Sequence, residues 1–266
     1  MTPPAPTTPL ATLSITGPTA RLELNRPEQR NALSLELLKA LHARVDELAA
    51  ADGVTVCVVT GTGRSFCAGM DLKQIVIASD GKDGSDPGTP LALLTSLAEL
   101  TLKIRALPCV TVARVNGAAI GGGCGLTCVC DIAVTHADAK LGYPEVDLGL
   151  CPAVVAPWLV KKIGAGRARA MLLRGGVMSG SDAHTHGLVE VCTESADALD
   201  AAVNEIVSRL AAGGPAALAA TKRLLNEIDG SGDRDPVLTG AELSASVVVS
   251  PAAQGVLRGR LEASAR

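Results

Sequence analysis

The sequence predicts an α/β fold, a twisted sheet core under helical layers that gives way to helices alone towards the C-terminus. Three observations predict it. Two continuous apolar runs, Val54 to Thr60 and Cys109 to Ala113, have the length and β-branching of strands covered on both faces. Each is followed by a glycine-bearing turn and then by a segment that can start a helix. From Ala196 the pattern is helical almost to the end, broken at Gly213-Gly-Pro and at Asp229 to Pro236. No internal repeat recurs at a fixed period.

In chain order, Leu10 to Ile15 and Ala20 to Asn25 alternate around Thr-Gly-Pro-Thr, which is a hairpin signal. Asn25 to Asn31 is a polar loop. Ser34 can cap a helix whose apolar face is Leu37, Leu38, Leu41, Val45 and Leu48, ended by Asp52-Gly53. The strand at Val54 to Thr60 leads into Gly61-Thr-Gly-Arg-Ser-Phe-Cys-Ala-Gly-Met-Asp-Leu, with a helix expected from about Met70. Ser79 to Pro90, rich in Gly, Asp, Ser and Pro, reads as a mobile surface loop of a kind that suits a lid. Leu91 to Ala106 is a helix stopped before Pro108. The strand Cys109 to Ala113 precedes a second glycine stretch, and Asp131 to Thr135 is another short strand. Lys140 to Leu150 is mixed. Val154 to Lys162, Gly166 to Leu173 and Ser179 to Gly187 read as short helices.

Composition excludes several classes. With 266 residues, 47% hydrophobic and 19% charged, the chain can bury a large core, and disorder is excluded for most of it. Phe66, Tyr143 and Trp158 are its whole aromatic set, too few for base stacking, and a net charge of −3 with no basic block argues against nucleic acid. The eight cysteines sit mostly in apolar runs, as reduced core thiols do, and none forms a Cys-x-x-Cys pair that would suggest zinc. No signal or transit peptide and no membrane-length apolar run is apparent, so a cytoplasmic setting is expected, without a membrane partner.

The chemistry points to Arg114 to Cys130. Four of the five residues from Gly121 to Gly125 are glycine. A strand, a glycine turn and a helix start aim free backbone N–H groups into a crevice, at the positive end of a helix dipole. Their guest is an oxygen bearing negative charge, a phosphate or a developing oxyanion. No Gly-Lys-Ser/Thr ending marks a phosphate loop, and the glycines do not follow the Gly-x-Gly-x-x-Gly pattern of a dinucleotide turn. A tight turn in a close-packed core is the competing reading. An oxyanion hole needs a proton carrier. Glu145, acidic in an otherwise apolar stretch, is one candidate, against a surface or ion-paired carboxylate. Asp71 suits a helix cap, Asp147 would face elsewhere, and His42, His184 and His186 read as surface residues. His136 has no nucleophile partner, and no Gly-x-Ser-x-Gly elbow suggests a serine hydrolase.

Five segments together resemble the enoyl-CoA hydratase/isomerase (crotonase) family. They are Leu24-Asn-Arg-Pro-Glu-Gln-Arg-Asn-Ala-Leu, Gly63-Arg-Ser-Phe-Cys-Ala-Gly-Met-Asp-Leu, Asn116-Gly-Ala-Ala-Ile-Gly-Gly-Gly-Cys-Gly, Cys130-Asp-Ile-Ala and Gly142-Tyr-Pro-Glu-Val-Asp-Leu-Gly-Leu. Their order and spacing extend the likeness over nearly the whole chain. The resemblance implies a spiral of ββα units over 10–195, after a flexible tail at 1–9, with a helical region at 196–266 that assembles homotrimers or dimers of trimers. It implies an acyl-CoA thioester as substrate, with CoA a part of that substrate and no separate cofactor or metal. The carbonyl oxygen would be held by the amides of Met70 and Gly122, flanked by Gly69, Asp71, Gly121 and Gly125. The adenine would lie near Ala68 and Leu72, and Arg26 and Arg30 are candidates for CoA phosphates.

One departure matters. Hydratases of the family commonly carry two glutamates, and the first matches Gly125 while the second matches Glu145. A single carboxylate can hydrate if it returns the proton it took, and it can equally shuttle a proton in a 1,3-isomerisation. The segment Glu145 to Pro157 resembles hydratases of branched or glutaconyl-type enoyl-CoA esters, so hydration is expected first and isomerisation second. A non-catalytic acyl-CoA-binding protein is the third reading. Ala153 stands where dienoyl-CoA isomerases resemble one another in bearing an acid, which disfavours that subtype.

Overall fold

A computed structural model describes residues 8–76 and 88–264. Residues 1–7 of the expected tail and 79–87 of the expected loop therefore lie outside the described residues. The chain opens with the antiparallel hairpin of β1 (Ala11–Thr16) and β2 (Thr19–Leu24). Helix α1 (Leu35–Ala49) follows, its Ser34 hydroxyl accepting the Leu37 amide as expected of an N-cap. Then come β3 (Val56–Gly61), β4 (Ser65–Cys67), the single turn α2 (Leu72–Ile75), α3 (Thr89–Ala106) and β5 (Val110–Val115). The middle of the chain holds β6 (Ala118–Ile120), α4 (Gly122–Val129), β7 (Ile132–His136), β8 (Lys140–Gly142), α5 (Ala156–Ile163) and α6 (Ala165–Arg174). After these come β9 (Val177–Ser179), α7 (Gly180–Thr185) and β10 (Val191–Thr193). Four helices close the chain: α8 (Leu199–Ala211), α9 (Pro215–Ile228), α10 (Asp235–Val248) and α11 (Pro251–Ser264).

The strands make two sheets. The larger runs β1-β2-β3-β5-β7-β10 and is parallel from β2 onward. Successive side chains of a strand leave opposite faces. In β3 this sends Cys57 and Val59 into the main core, while Val56 and Val58 join Val112 and Val134 in a second cluster capped by Leu199 and Val203 of α8. Both faces are thus covered, which is why β3 reads as an uninterrupted apolar run. The three aromatic side chains are wholly buried, and Trp158 donates its Nε1–H to Thr101 Oγ1 at 2.9 Å. Each such burial contributes about 1.5–3 kcal/mol.

The smaller sheet, β4-β6-β8-β9, was not expected from the sequence. Its strands are three residues long, too short to show a period of two. β4, β6 and β8 are parallel neighbours, with Cys67 beside Ala119 and Ile120 beside Gly142, and β9 closes the edge antiparallel. The helical end of the chain packs into the body: Val237, Ala241, Ala245, Val248 and Leu257 belong to the main core, and α10 lies along α3. Among the described residues no helix is long and apolar enough to cross a membrane.

Candidate active site

Three neighbouring parallel strands end on the same side of a sheet, so the residues that follow them must meet. Those residues are Ala68 to Met70 after β4, Gly121 and Gly122 after β6, and Tyr143 to Glu145 after β8. The glycine turns were expected to leave β3 and β5 directly. They leave the short strands instead, and this register brings them together.

The first turn is pinned by the loop before α1. Ala68 N–H donates to Arg30 O at 3.0 Å, Leu33 N–H to Gly69 O at 2.8 Å and Asp71 N–H to Leu33 O at 3.0 Å. This leaves the Met70 amide pointing the other way, with no hydrogen-bond acceptor among the described residues. Arg30 and Asn31 both take positive φ, 51° and 56°, and Asn31 offsets that strain with its side chain. Its Nδ2 donates to Thr62 O and Ser65 O at 3.0 and 2.9 Å, and its Oδ1 accepts the Arg26 amide at 2.8 Å.

The second turn depends on Gly121, at φ 53°, whose N–H donates to Gly142 O at 2.8 Å. Helix α4 begins at the next residue without a side-chain cap, so the Gly122 amide is also without an acceptor among the described residues. A methyl group on Gly69 would lie 2.8 Å from Ile120 O and 4.0 Å from the Gly122 nitrogen, which fixes how closely the two turns approach. Of the glycines from 121 to 125, only Gly121 uses positive φ. Gly122, Gly123 and Gly125 are helical, and what they supply is close approach: a Cβ on Gly123 would fall 2.3 Å from Cys67 O.

Across from the amides stands Glu145. Its Oε1 lies 2.6 Å from where a Cβ on Gly121 would be, and its Oε2 is buried with no hydrogen-bond partner. Burial pushes its pKa up to about 7; its own backbone amide opposes the rise and the Asp147 charge adds to it. Asp147 itself is turned away, accepting the Gly176 amide at 2.7 Å. Over Gly125 the space is filled. A Cβ there would sit 2.2 Å from Val155 Cγ1 and 2.9 Å from Val155 Cβ, so a valine occupies the ground that a carboxylate at 125 would need.

These groups line a cavity of about 420 Å³. Met70, Gly122, Glu145, Arg30, Ala68, Gly69, Leu72 and Gly121 all reach it. Arg26, Asp71 and Gly125 stand behind it. Arg26 NH1 is 2.7 Å from Asp71 Oδ2 and 3.1 Å from Ala32 O, and Asp71 caps α2 by accepting the Lys73 amide, so this pair braces the first turn. The sequence reading missed Cys151, Val155, Ser244, Val248 and Arg260, which complete the wall. Ser244, Val248 and Arg260 come from α10 and α11, roughly a hundred residues on, and no spacing links them to the turns. His42, expected at the surface, bonds Ser96 O through Nε2 at 3.0 Å. A wider depression of about 710 Å³ separates α9 from Ala106 to Pro108, but its buried cation, Lys222, is committed to Asp131 at 2.8 Å and Cys109 O at 2.9 Å.

Comparison with known proteins bears on the family and the fold. A family model described as Enoyl-CoA hydratase/isomerase matches residues 15–235. An enoyl-CoA hydratase of Alternaria alternata is 34% identical over 244 residues, covering 91% of this chain and 78% of that protein. The 2,3-dehydroadipyl-CoA hydratase of Escherichia coli is 32% identical over 207 residues, 77% of each chain. Among solved structures, an enoyl-CoA hydratase from Mycobacterium avium superposes with a TM-score of 0.83 at 30% identity over 97% of this chain and 98% of that one. One from Bacillus halodurans, at 24% identity, shares the fold with a TM-score of 0.84 over 94% and 99%. The two-sheet core with its closing helices is the crotonase fold. This chain belongs to the enoyl-CoA hydratase/isomerase family.

Proposed function

We propose that the chain is a hydro-lyase that adds water across the 2,3 double bond of an enoyl-CoA thioester, with Glu145 as its single proton-transfer group. The observation that carries this is the unpartnered, buried Glu145 Oε2 in a cavity it shares with two free amides. The thioester oxygen accepts from the Met70 and Gly122 N–H groups. Glu145 takes a proton from water as the water oxygen bonds to Cβ. The π electrons move onto the thioester oxygen as an enolate, which those amides stabilise. Glu145 then returns its proton to Cα, so one carboxylate serves as base and acid. A pKa near neutrality suits both halves of that exchange.

CoA enters as part of the substrate; Ala68, Leu72 and Arg30 line the cavity, which supports their holding it. The named activity of the Escherichia coli relative and the segment after Glu145 support a branched or carboxylated acyl chain. Leu224, Leu225 and Ile228 of α9 are 54%, 55% and 72% exposed, which supports assembly into trimers through the closing helices.

The deciding experiment follows loss of the enoyl thioester chromophore of crotonyl-CoA and of 3-methylglutaconyl-CoA. Wild type hydrates at least one, and Glu145→Gln loses ~100-fold or more in kcat. Wild-type turnover in the variant refutes the assignment, and thioester binding without any turnover reduces the chain to a binding protein. Isomerisation is the second reading, favoured by Val155: the wall facing Glu145 is apolar where a second water-holding acid would stand. A 3-enoyl-CoA that conjugates without a hydrated product would establish it.

A further inference from the structure

Six of the eight cysteines are buried in the core; Cys151 and Cys192 are partly exposed, and of these only Cys151 lines the cavity. Its position is held from two sides. Glu145 O accepts the Leu150 N–H at 2.8 Å, which folds the chain back so that Glu145 and Cys151 share one wall. Ser244 on α10 donates its hydroxyl to Cys151 O at 2.8 Å and accepts the Ala153 amide at 3.1 Å. Helix α10 can press this close because Gly240 has no side chain: a Cβ there would lie 2.3 Å from Ala153 O. The Cys151 backbone is therefore held where its residue lines the same cavity as Glu145, whose Oε2 is buried and unpartnered, and as two free amides.

We infer that Cys151 is a site of reversible covalent modification by α,β-unsaturated thioesters, formed by the machinery assigned above to hydration. The inference rests on that reading. The Cys151 S–H proton passes to the Glu145 carboxylate, and a sulfur lone pair forms the Sγ–Cβ bond. The Cα=Cβ π pair moves onto the thioester oxygen, held by the Met70 and Gly122 amides, and Glu145 then protonates Cα. The product is a thioether. Atoms and electrons balance, nothing is oxidised, and no co-reactant is needed. Burial and the Glu145 charge raise the thiol pKa, against the favourable Ala153 amide, so the neutral thiol prevails and the reaction needs the adjacent base. The consequence is a brake: excess enoyl thioester occupies its own enzyme, and elimination releases it.

The test incubates the full chain with propenoyl-CoA, whose Cβ is unhindered, followed by acid quench, intact mass and peptide mapping. The expected result is one adduct of the probe's mass at Cys151, formed at a saturable rate and suppressed by saturated butyryl-CoA. The adduct persists in Cys192→Ser, is absent from Cys151→Ser, and forms ~100-fold more slowly in Glu145→Gln. An adduct confined to Cys192, one that survives Cys151→Ser, or a rate indifferent to Glu145→Gln overturns the inference. Hydration of crotonyl-CoA with no adduct overturns it and leaves the hydratase standing. Failure to bind butyryl-CoA removes both.

Discussion

The pairing of Gly125 with Val155 can be tested by adding one carbon. Ordinary carbon contacts lie near 3.5–4.0 Å. A Cβ on Gly125 would meet Val155 Cγ1 at 2.2 Å and Val155 Cβ at 2.9 Å. Because the Val155 Cβ itself is too close, turning χ1 cannot clear the overlap, and Val155, at 2% exposure, has nowhere to move. Overpacking of this kind costs about 1–3 kcal/mol. Replacing glycine by alanine inside a helix regains about 1 kcal/mol, which leaves Gly125→Ala destabilised by roughly 0–2 kcal/mol. In a chain of this size that lowers Tm by up to about 8 °C. Val155→Ala costs its own cavity term, yet it removes the clashing Cγ1. The double variant should therefore be more stable than the sum of the singles by at least ~1 kcal/mol. Thermal melts of the four proteins at one pH measure this. If the two losses simply add, or if Gly125→Ala is stabilising, the wall is pliable and Val155 does not exclude a side chain at 125. The same reasoning predicts that Gly125→Glu alone does not create a two-carboxylate hydratase, since the acid has no room beside Val155.

Other outcomes follow from the same geometry. The Glu145 pKa of about 7 in the fold lies above its ordinary 4.5, so the folded state holds that proton more tightly. Its contribution to stability is intact below about pH 4.5 and is lost as pH rises through 7, by roughly 3 kcal/mol in all. Glu145→Gln should accordingly melt higher than wild type at pH 8, with the gap closing near pH 4.5, while wild-type kcat/KM falls on the acid side with an apparent pKa near 7; a gap that widens on acidification would be the wrong sign. Gly69→Ala puts a carbon 2.8 Å from Ile120 O at φ 90° and must displace the Met70 amide, so kcat should drop ~100-fold or more with little change in thioester affinity. Asn31→Ala strands three backbone groups, one buried and two half-buried, and keeps the positive φ, and should cost about 2 kcal/mol in a denaturant melt.

The legible parts of this chain are those where one residue pattern had one physical cause. The Leu37, Leu38, Leu41, Val45 and Leu48 stripe could only be an amphipathic helix, and all five are buried. The run at β3 had to be covered on both faces, and it is. The six core cysteines followed from their apolar neighbours. The smaller sheet was hidden because Ser65–Cys67, Ala118–Ile120 and Lys140–Gly142 are strands only by virtue of one another; none carries enough residues to display a period. The glycine run was half understood. The strand, turn and helix start that leave the Gly122 amide free were visible in the sequence, but three of its four glycines exist so that Leu33, Cys67 and Val155 can lie against a helix, which depends on residues far along the chain.

That division explains why the floor of the site could be read and its walls could not. Met70, Gly122 and Glu145 each sit within three residues of a strand end, and the strands are adjacent, so short-range chain geometry is enough to bring them together. The wall is assembled by contact across long separations: Ser244 reaches back 93 residues to Cys151 O, and Val248 and Arg260 arrive from helices whose own sequences carry only a generic apolar face. Chemistry common to the family can therefore be inherited through the turns while the acyl pocket is reshaped by changes in α10, α11 and the segment from Cys151 to Val155. The arrangement at Gly125 is an instance of such reshaping. Gly125 lies within α4 without a side chain, and the wall residue Val155 has closed over the place. Restoring the acid alone would leave that wall standing, which is why the two positions have to be varied together.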